Sequence, residues 1–409
     1  MNNVVFKACS VFWTLSLFFF SFSLAAQSNT CRRQLKVSLY PYIPNPDNFY
    51  QKVETDFEKK YPDIDLIITQ NANYYDETTG IINDQADVYE VDCILLKDFI
   101  DRSKIQKLNP WPYLNSPVTD ESYLLPAGRK ILMETGYAFP HWICGNFLLY
   151  KAGDTPMGNI KKLSDLENTI GKNPTIKNGL LIDMKGKLTI GELYADALMD
   201  KYNNLDSVRK YAYLPNLNIP TVNNLNRVVD LTYSNWGRVD SYHDKTGFYA
   251  KQFAKNNGRA LVGYSESLYY AIHETENACH NEEGCISTNF DVAEVPFSDN
   301  GSHPLGWVDA FVIDAKADGI KVFDAGCFIF FMCTDDAMLH ALIPDWGDAP
   351  RYLLPAQRQY YTRPEILKRA PLYAKFLPLV EKIQTVQGSG ISPSLREIGK
   401  KLDKEYLKN

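Results

Sequence analysis

The chain has 409 residues, 45% of them hydrophobic and 13% aromatic, with a formal net charge of −6. That length exceeds what one hydrophobic core normally serves, so about two domains are expected. The mild acidity argues against a nucleic-acid partner and suits a cationic ligand. Tyr residues number 26 against 21 Phe, and tyrosine offers an aromatic face together with a hydroxyl, the combination that cleft walls use.

Residues 1–26 read as a signal peptide. Lys7 is their only charge, Val11 to Phe22 is almost wholly apolar, and Ser23-Leu24-Ala25 supplies small residues for cleavage. The apolar run is short for a membrane span, and no later segment is apolar enough to cross a bilayer. A soluble mature protein, periplasmic or secreted, is expected. Beyond Cys9 in the signal, seven cysteines remain: Cys31, Cys93, Cys144, Cys279, Cys285, Cys327 and Cys333. An odd number in an oxidising compartment implies at least one free thiol. Cys279 and Cys285 bracket a polar loop and could close a small disulfide ring. Cys327 and Cys333 lie six apart in an apolar helical stretch, where the rise of about 9 Å is too long for a bridge. Cys31 and Cys93 have no assigned partner. Asn300-Gly301-Ser302 is a glycosylation sequon, meaningful only in a eukaryotic host.

In chain order, Gln34 to Tyr40 alternates as a strand does, and a Pro-rich turn follows. Asp47 to Lys60 reads as an amphipathic helix with Phe49, Val53 and Phe57 on one face. Asp63 to Thr69 and Ala86 to Ile94 are further strands, with Asp92 near the end of the latter and a short helix over Leu95 to Arg102. Phe139 to Tyr150 is an apolar crossing into a second domain. Gly179 to Met184 is a strand, Gly191 to Lys201 and Asn223 to Trp236 are helices, and Arg259 to Tyr264 is a strand returning to the first domain. Trp307 to Ile313 is a buried strand, Ile320 to Leu342 a long helix, Arg351 to Tyr360 an extended segment, and Ser392 to Leu407 a charged amphipathic helix. This alternation predicts an α/β, two-lobed periplasmic-binding-protein-like (type II) fold with mostly parallel, helix-covered sheets and a cleft between lobes. Residues 31–140 and 265–345 are assigned to the first lobe, 141–264 to the second, and 346–409 to a C-terminal helical segment of unassigned lobe. Ligands of such sheets sit beyond the carboxyl ends of strands, where Tyr40, Tyr42 and Asp92 fall.

Cys144 and Glu266 lie on the two predicted crossings. A thiol and a carboxylate facing one cleft make a nucleophile and a base. The pattern alone leaves open that Cys144 is a buried structural thiol and Glu266 a surface carboxylate. Gly263-Tyr264-Ser265-Glu266-Ser267 approaches a nucleophile elbow, but Ser267 replaces the final Gly and no Gly-rich oxyanion segment precedes it. His273, Cys279, His280 and Cys285 fit no common zinc spacing, so no metal is expected. Asp92 and Asp309 sit among apolar strand residues, where carboxylates are rare unless paired. They suit a cation or an aminopyrimidine-type donor, or serve as structural partners. Tyr40, Tyr42, Tyr264 and Trp307 could form an aromatic cage for a cation or a heteroaromatic ring.

Leu35 to Pro44, Phe139 to Asp154 around Cys144, Gly258 to Ser267 and Tyr352 to Ala356 together resemble the thiaminase I (thiamine pyridinylase) family, in order through nearly the whole mature chain. The resemblance implies a group-II periplasmic-binding-protein fold turned into an enzyme. The family's nucleophilic Cys matches Cys144 and its catalytic Glu matches Glu266. Its cleft aromatics and acids match Tyr40, Tyr42, Asp92, Tyr264 and Asp309, while Trp307 stands where a Tyr is expected. The Cys279 to Cys285 insertion looks foreign to the bacterial pattern. The implied reaction moves the pyrimidinylmethyl group of thiamine to a pyridine-type base, aniline or thiol, with no cofactor, by a monomer that binds neither nucleic acid nor, after signal cleavage, membrane. The competing reading is a transport receptor for thiamine or a related cationic aromatic, which needs the same cage but no reactive thiol.

Overall fold

The computed structural model describes residues 32–108, 123–234, 247–275, 289–345 and 348–407. The expected signal peptide, Cys31 and the Cys279 to Cys285 loop lie outside the described residues. No described helix is long and apolar enough to cross a membrane.

Two sheets organise the chain. The larger holds β1 (Arg33–Leu39), β2 (Ile64–Gln70), β3 (Val88–Asp92), β4 (Ile105–Gln106), β5 (Phe139–Gly145) and, through its centre, β10 (Gly306–Asp314). The smaller holds β6 (Phe147–Lys151), β7 (Leu180–Ile182), β8 (Ala260–Gly263) and β9 (Phe290–Glu294). This is the expected α/β two-lobed arrangement, but the sheets are mixed rather than mostly parallel. β1 runs parallel to β2 and β3, whereas β10 runs antiparallel to β3, β4 and β5. In the smaller sheet β7 is parallel to β8, while β6 is antiparallel to β8 and β9. The reason is topological: β10 enters the larger sheet from the other lobe, without the helical crossover that makes neighbours parallel.

The chain passes from one sheet to the other at Asn146, between β5 and β6, and again over residues 295–305, between β9 and β10. The assigned division differs at both points. All of β5 belongs to the larger sheet, and β9 still belongs to the smaller one, so the return comes some thirty residues later than the sequence reading placed it. The apolar character of Arg259 to Tyr264 gave no sign of which sheet takes it.

Several elements follow their patterning closely. The first helix spans Pro46–Lys60, with proline in its first turn, and buries Phe49, Val53 and Phe57. All nine residues of β10 are buried, which suits a central strand covered on both faces. Other elements differ. The expected long helix breaks into Gly319–Met332 and Asp335–Leu342, with Cys333 and Thr334 at the join. Residues 351–357 form only isolated bridges, Trp142 to Pro355 and Leu124 to Gln357, before a 3-10 turn at Arg358–Tyr361. The helix expected from Asn223 runs over Ile219–Val229, because Pro220 suits a helix's first turn. The C-terminal helix is Ile391–Lys401, continued by a π turn to Tyr406. It packs on helix Lys187–Tyr202 so closely that a Cβ on Gly191 would lie 2.2 Å from the Leu395 carbonyl oxygen. Cys93, Cys144, Cys327 and Cys333 are all free thiols, as the helical spacing of the last two predicts.

Candidate active site

A cleft of about 500 Å³ opens between the lobes. One wall comes from the larger sheet. β3, β10 and β5 lie side by side there, and register places Asp309 directly opposite Asp92 on one side and Trp142 on the other. Two residues back along β10, Trp307 is opposite Cys144. Directly opposed residues share a face of an antiparallel pair, so Asp92, Asp309, Trp307 and Cys144 project together. The Cys144 Sγ–H donates to Asp309 Oδ2 at 3.4 Å. Gly306 keeps this ladder tight, because a Cβ there would come within 2.5 Å of the Cys144 carbonyl oxygen.

A β-bulge lies beside the thiol. Ala310 pairs with Pro140 while Asp309 pairs with Trp142, so His141 is the extra residue. Bulges re-aim side chains next to active sites and tolerate proline. Here His141 Nδ1 turns to Glu90 Oε1, at 2.6 Å, with both side chains buried. The other Glu90 oxygen accepts the backbone N–H of Tyr40 at 3.0 Å. Tyr50 donates to the Tyr40 carbonyl at 2.6 Å. The wholly buried Arg351 donates to the Pro44 carbonyl at 2.8 Å and so ties down the Pro-rich turn carrying Tyr42.

Tyr40, Tyr42 and Tyr75 form the aromatic part of this wall. Tyr40 and Tyr42 meet edge to face at 5.4 Å, and the Tyr42 and Tyr75 rings lie parallel at 6.0 Å. Tyr75 donates to Asp92 Oδ2 at 2.8 Å, and its hydroxyl is 3.4 Å from that of Tyr40. Burial pushes the hydroxyls of Tyr40 and Tyr75 up, so both stay protonated donors.

The carboxylates repel one another in a dry setting. Burial pushes Asp92 up to about 6, against hydrogen bonds from the Ile94 amide and Tyr75 that favour its charged form. Burial, then the neighbouring Asp92 and Glu90 charges, push Asp309 well above the ordinary range. Asp92 and Asp309 thus oppose each other's ionisation. Burial also pushes the Cys144 thiol up, and the Asp309 and Glu266 charges push it further. At rest Cys144 is therefore a protonated thiol.

The opposite wall belongs to the smaller lobe. Tyr264, just past β8, donates to Glu192 Oε2 at 2.6 Å. The turn before helix Lys187–Tyr202 is held by Asp183 Oδ1, which accepts from the Lys185 and Gly186 amides at 2.8 and 3.1 Å. Lys185 to Thr189 line the cleft with Arg396, whose guanidinium donates to the Tyr75 carbonyl at 2.5 Å and so links the two walls. Glu266 is not at a strand end as expected. β8 stops at Gly263, and Glu266 is the residue capping helix Ser267–Glu274. It still lines the cleft. Ser265 is only 2% exposed and donates to the Tyr352 carbonyl at 2.7 Å, so its hydroxyl serves the fold rather than a hydrolase.

Seven of the eight residues singled out from sequence line this cleft: Tyr40, Tyr42, Asp92, Cys144, Tyr264, Glu266 and Trp307. Asp309 is the eighth, buried directly behind the thiol. Sequence reasoning missed Tyr75, Glu192 and the 185–189 turn. Glu192 carried a signal: Glu192, Asp196 and Asp200 recur at four-residue steps in an otherwise apolar helix.

Residues 145–280 match the family model of the thiaminase-1 domain. The curated Thiaminase-1 of Paenibacillus thiaminolyticus is 26% identical over 359 residues, covering 85% of this chain and 81% of the relative. Thiaminase I from Bacillus thiaminolyticus superposes with a TM-score of 0.76 at 24% identity, over 92% of this chain and 100% of that one. Clostridium botulinum thiaminase I, solved in complex with thiamin, gives 0.74 at 25% identity, over 90% and 98%. A maltose-bound T. maritima protein shares the fold alone, with a TM-score of 0.61 at 12% identity over 90% and 93%. Residues 145–280 thus match a thiaminase-1 domain, the fold is two-lobed and periplasmic-binding-protein-like, and the resemblance to thiaminase I proteins extends along most of the chain.

Proposed function

We propose that this chain is a thiamine-degrading transferase in which Cys144 is the nucleophile and Glu266 the base. The observation that carries the reading is the Cys144 thiol at a cleft between lobes, hydrogen-bonded to Asp309 and backed by carboxylates that suit a cation. The family resemblance supplies the substrate. Thiamine joins an aminopyrimidine to a thiazolium through a methylene. Its positive charge offsets the repulsion that holds the thiol protonated, so substrate entry favours the thiolate. The family resemblance assigns the thiol proton to Glu266. The thiolate adds to C6 of the pyrimidine, and the methylene–nitrogen bond breaks, with its electron pair leaving on neutral thiazole. A base, aniline or thiol then adds to the methylene. Glu266 manages the incoming nucleophile's proton, and the carbon–sulfur bond breaks to restore the aromatic ring and free Cys144. Tyr75 steadies Asp92 at the pyrimidine edge, and Tyr40, Tyr42, Tyr264 and Trp307 enclose the rings. The resemblance also supports a periplasmic or secreted monomer that needs no cofactor.

The test is a product assay. Incubation with thiamine and aniline or pyridine should release free thiazole together with the pyrimidinylmethyl adduct of the added base. Tight thiamine binding without thiazole release would instead identify a transport receptor.

A further inference from the structure

Helix Lys187–Tyr202 is buried without interruption from Ile190 to Asp200. Three carboxylates form one stripe inside that run, Glu192, Asp196 and Asp200, each at most 6% exposed. Buried carboxylates are costly unless partnered. Each of these is partnered, two of them on chain that leads into or out of the hinge. Glu192 accepts from Tyr264 at 2.6 Å. Asp200 accepts the backbone N–H groups of Phe297 and His303 at 2.6 and 2.5 Å, within the connection from β9 to β10. Asp196 accepts from the Asn146 side chain at 2.7 Å and from the Leu305 backbone N–H.

Asp196 thus touches both passages between the sheets. Asn146 follows β5 and Leu305 precedes β10, so they flank the pair Gly145–Gly306, and the next pair along is Cys144–Trp307. The helix is a rigid support, held against Ile391–Lys401 through the close contact at Gly191. We infer that Asp196 is a positioning residue for Cys144. It acts through Asn146 and Leu305, fixing the hinge ends of β5 and β10 so that the thiol stays beside Asp309 and Trp307. This rests on the reading of Cys144 as nucleophile. It predicts that the hinge bond and the reacting sulfur are coupled although Asp196 does not touch the substrate.

The test is a swap of the hydrogen-bond partners in the full chain. Asn146→Leu and Asp196→Leu each remove the bond at nearly constant volume. The double variant Asn146→Asp with Asp196→Asn restores it with the roles reversed, the new amide still accepting from Leu305. Two rates are read: turnover of thiamine with aniline, and alkylation of Cys144 by iodoacetamide without thiamine, followed by peptide mass spectrometry. Each Leu variant should lower kcat about tenfold with KM within about threefold, and should speed Cys144 alkylation about tenfold as its restraint is lost, a coupling of ordinary size for groups in one network. The buried Cys93 should stay protected in both, which separates loss of position from loss of fold. The swap should return both rates to within about threefold of native. Native rates in both Leu variants, or a swap no better than either, would overturn the inference. Should Asp196→Leu fail to fold, Asn146→Leu and the swap decide the matter alone. Alkylation needs no thiamine, so its outcome stands even if the proposed reaction fails.

Discussion

Asp92, Asp309, Trp307 and Cys144 stand on three hydrogen-bonded strands of one sheet, whereas Tyr264, Glu192 and the 185–189 turn reach the cleft from the end of a strand and the start of a helix. The first set is fixed by register, and its distances are as rigid as a β ladder allows. The second set is carried by the smaller lobe, whose strands are joined to those of the larger sheet, in described chain, through Asn146 and 295–305. The proposed sulfur chemistry therefore sits where the ladder holds the geometry, and the opposite wall supplies enclosure and polar contact. Lobes of this kind close around ligands by hinge motion. A closing wall is thus expected to govern affinity, and the fixed wall turnover.

That contrast can be broken by mutation. On the fixed wall, Cys144→Ser should lower kcat by about 10³-fold or more, because a hydroxyl ionises far less readily than a thiol. Thiamine affinity, measured by calorimetry, should be nearly unchanged. Glu266 lies outside the ladder, at a helix cap beyond β8, and is the one exception to the contrast: as the proposed base, Glu266→Gln should lower kcat by about 10²-fold, the lower end of general-base contributions. Burial and the Asp309 charge push the thiol up, so that loss should not be rescued at about pH 8.5, where a free cysteine is half ionised. On the opposite wall, Tyr264→Phe removes the donor to Glu192 and should raise KM about tenfold with little change in kcat. A dominant kcat effect there would erase the distinction between the walls.

A fourth effect is smaller and concerns stability. The Asp92 carboxyl is raised from 3.8 to about 6 in the folded protein. The folded state holds its proton more tightly than the unfolded one, so the associated stability is present below about pH 3.8 and is lost as pH rises through about 6. Asp92→Asn has no such loss. It should melt slightly higher than native at pH 8, by about 1 kcal/mol or less once the weaker hydrogen bonds to the Ile94 amide and Tyr75 are counted. The gain should vanish at low pH. A lower melting point at pH 8 would show that those hydrogen bonds outweigh desolvation.

The fixed wall was also the more legible in sequence. Asp309 in an apolar run and Asp92 at the end of one are anomalies that burial makes informative: Asp92 lines the cleft, and Asp309 lies behind it against the Cys144 thiol. Apolar patterning located β1, β3 and β10 within a residue or two, whereas β5 and β6 read as one crossing, Phe139 to Tyr150. It said nothing of pairing direction, because an apolar run reads the same in either orientation, and so the mixed sheets and the late return through β9 were missed. Glu266 was expected at a strand end because β8 and the following helix are both apolar around it. The cap lies where hydrogen bonding changes partner, which residue type alone does not mark. Tyr75 was missed because it lies on a loop beyond β2 with no periodic context, and its value comes only from folding back to Asp92. The His141 to Glu90 contact depends on a one-residue bulge that no spacing rule announces.

The central claim is that Cys144 forms a carbon–sulfur bond to the pyrimidine before any second nucleophile acts. The most direct measurement is rapid acid quench of the full chain mixed with thiamine alone, followed by mass spectrometry of the Cys144 peptide. The account predicts a mass increment equal to the aminopyrimidinylmethyl group on Cys144, formed with stoichiometric release of thiazole and lost on adding aniline. Thiazole release at the native rate with Cys144 unmodified, or equally from Cys144→Ser, would contradict it.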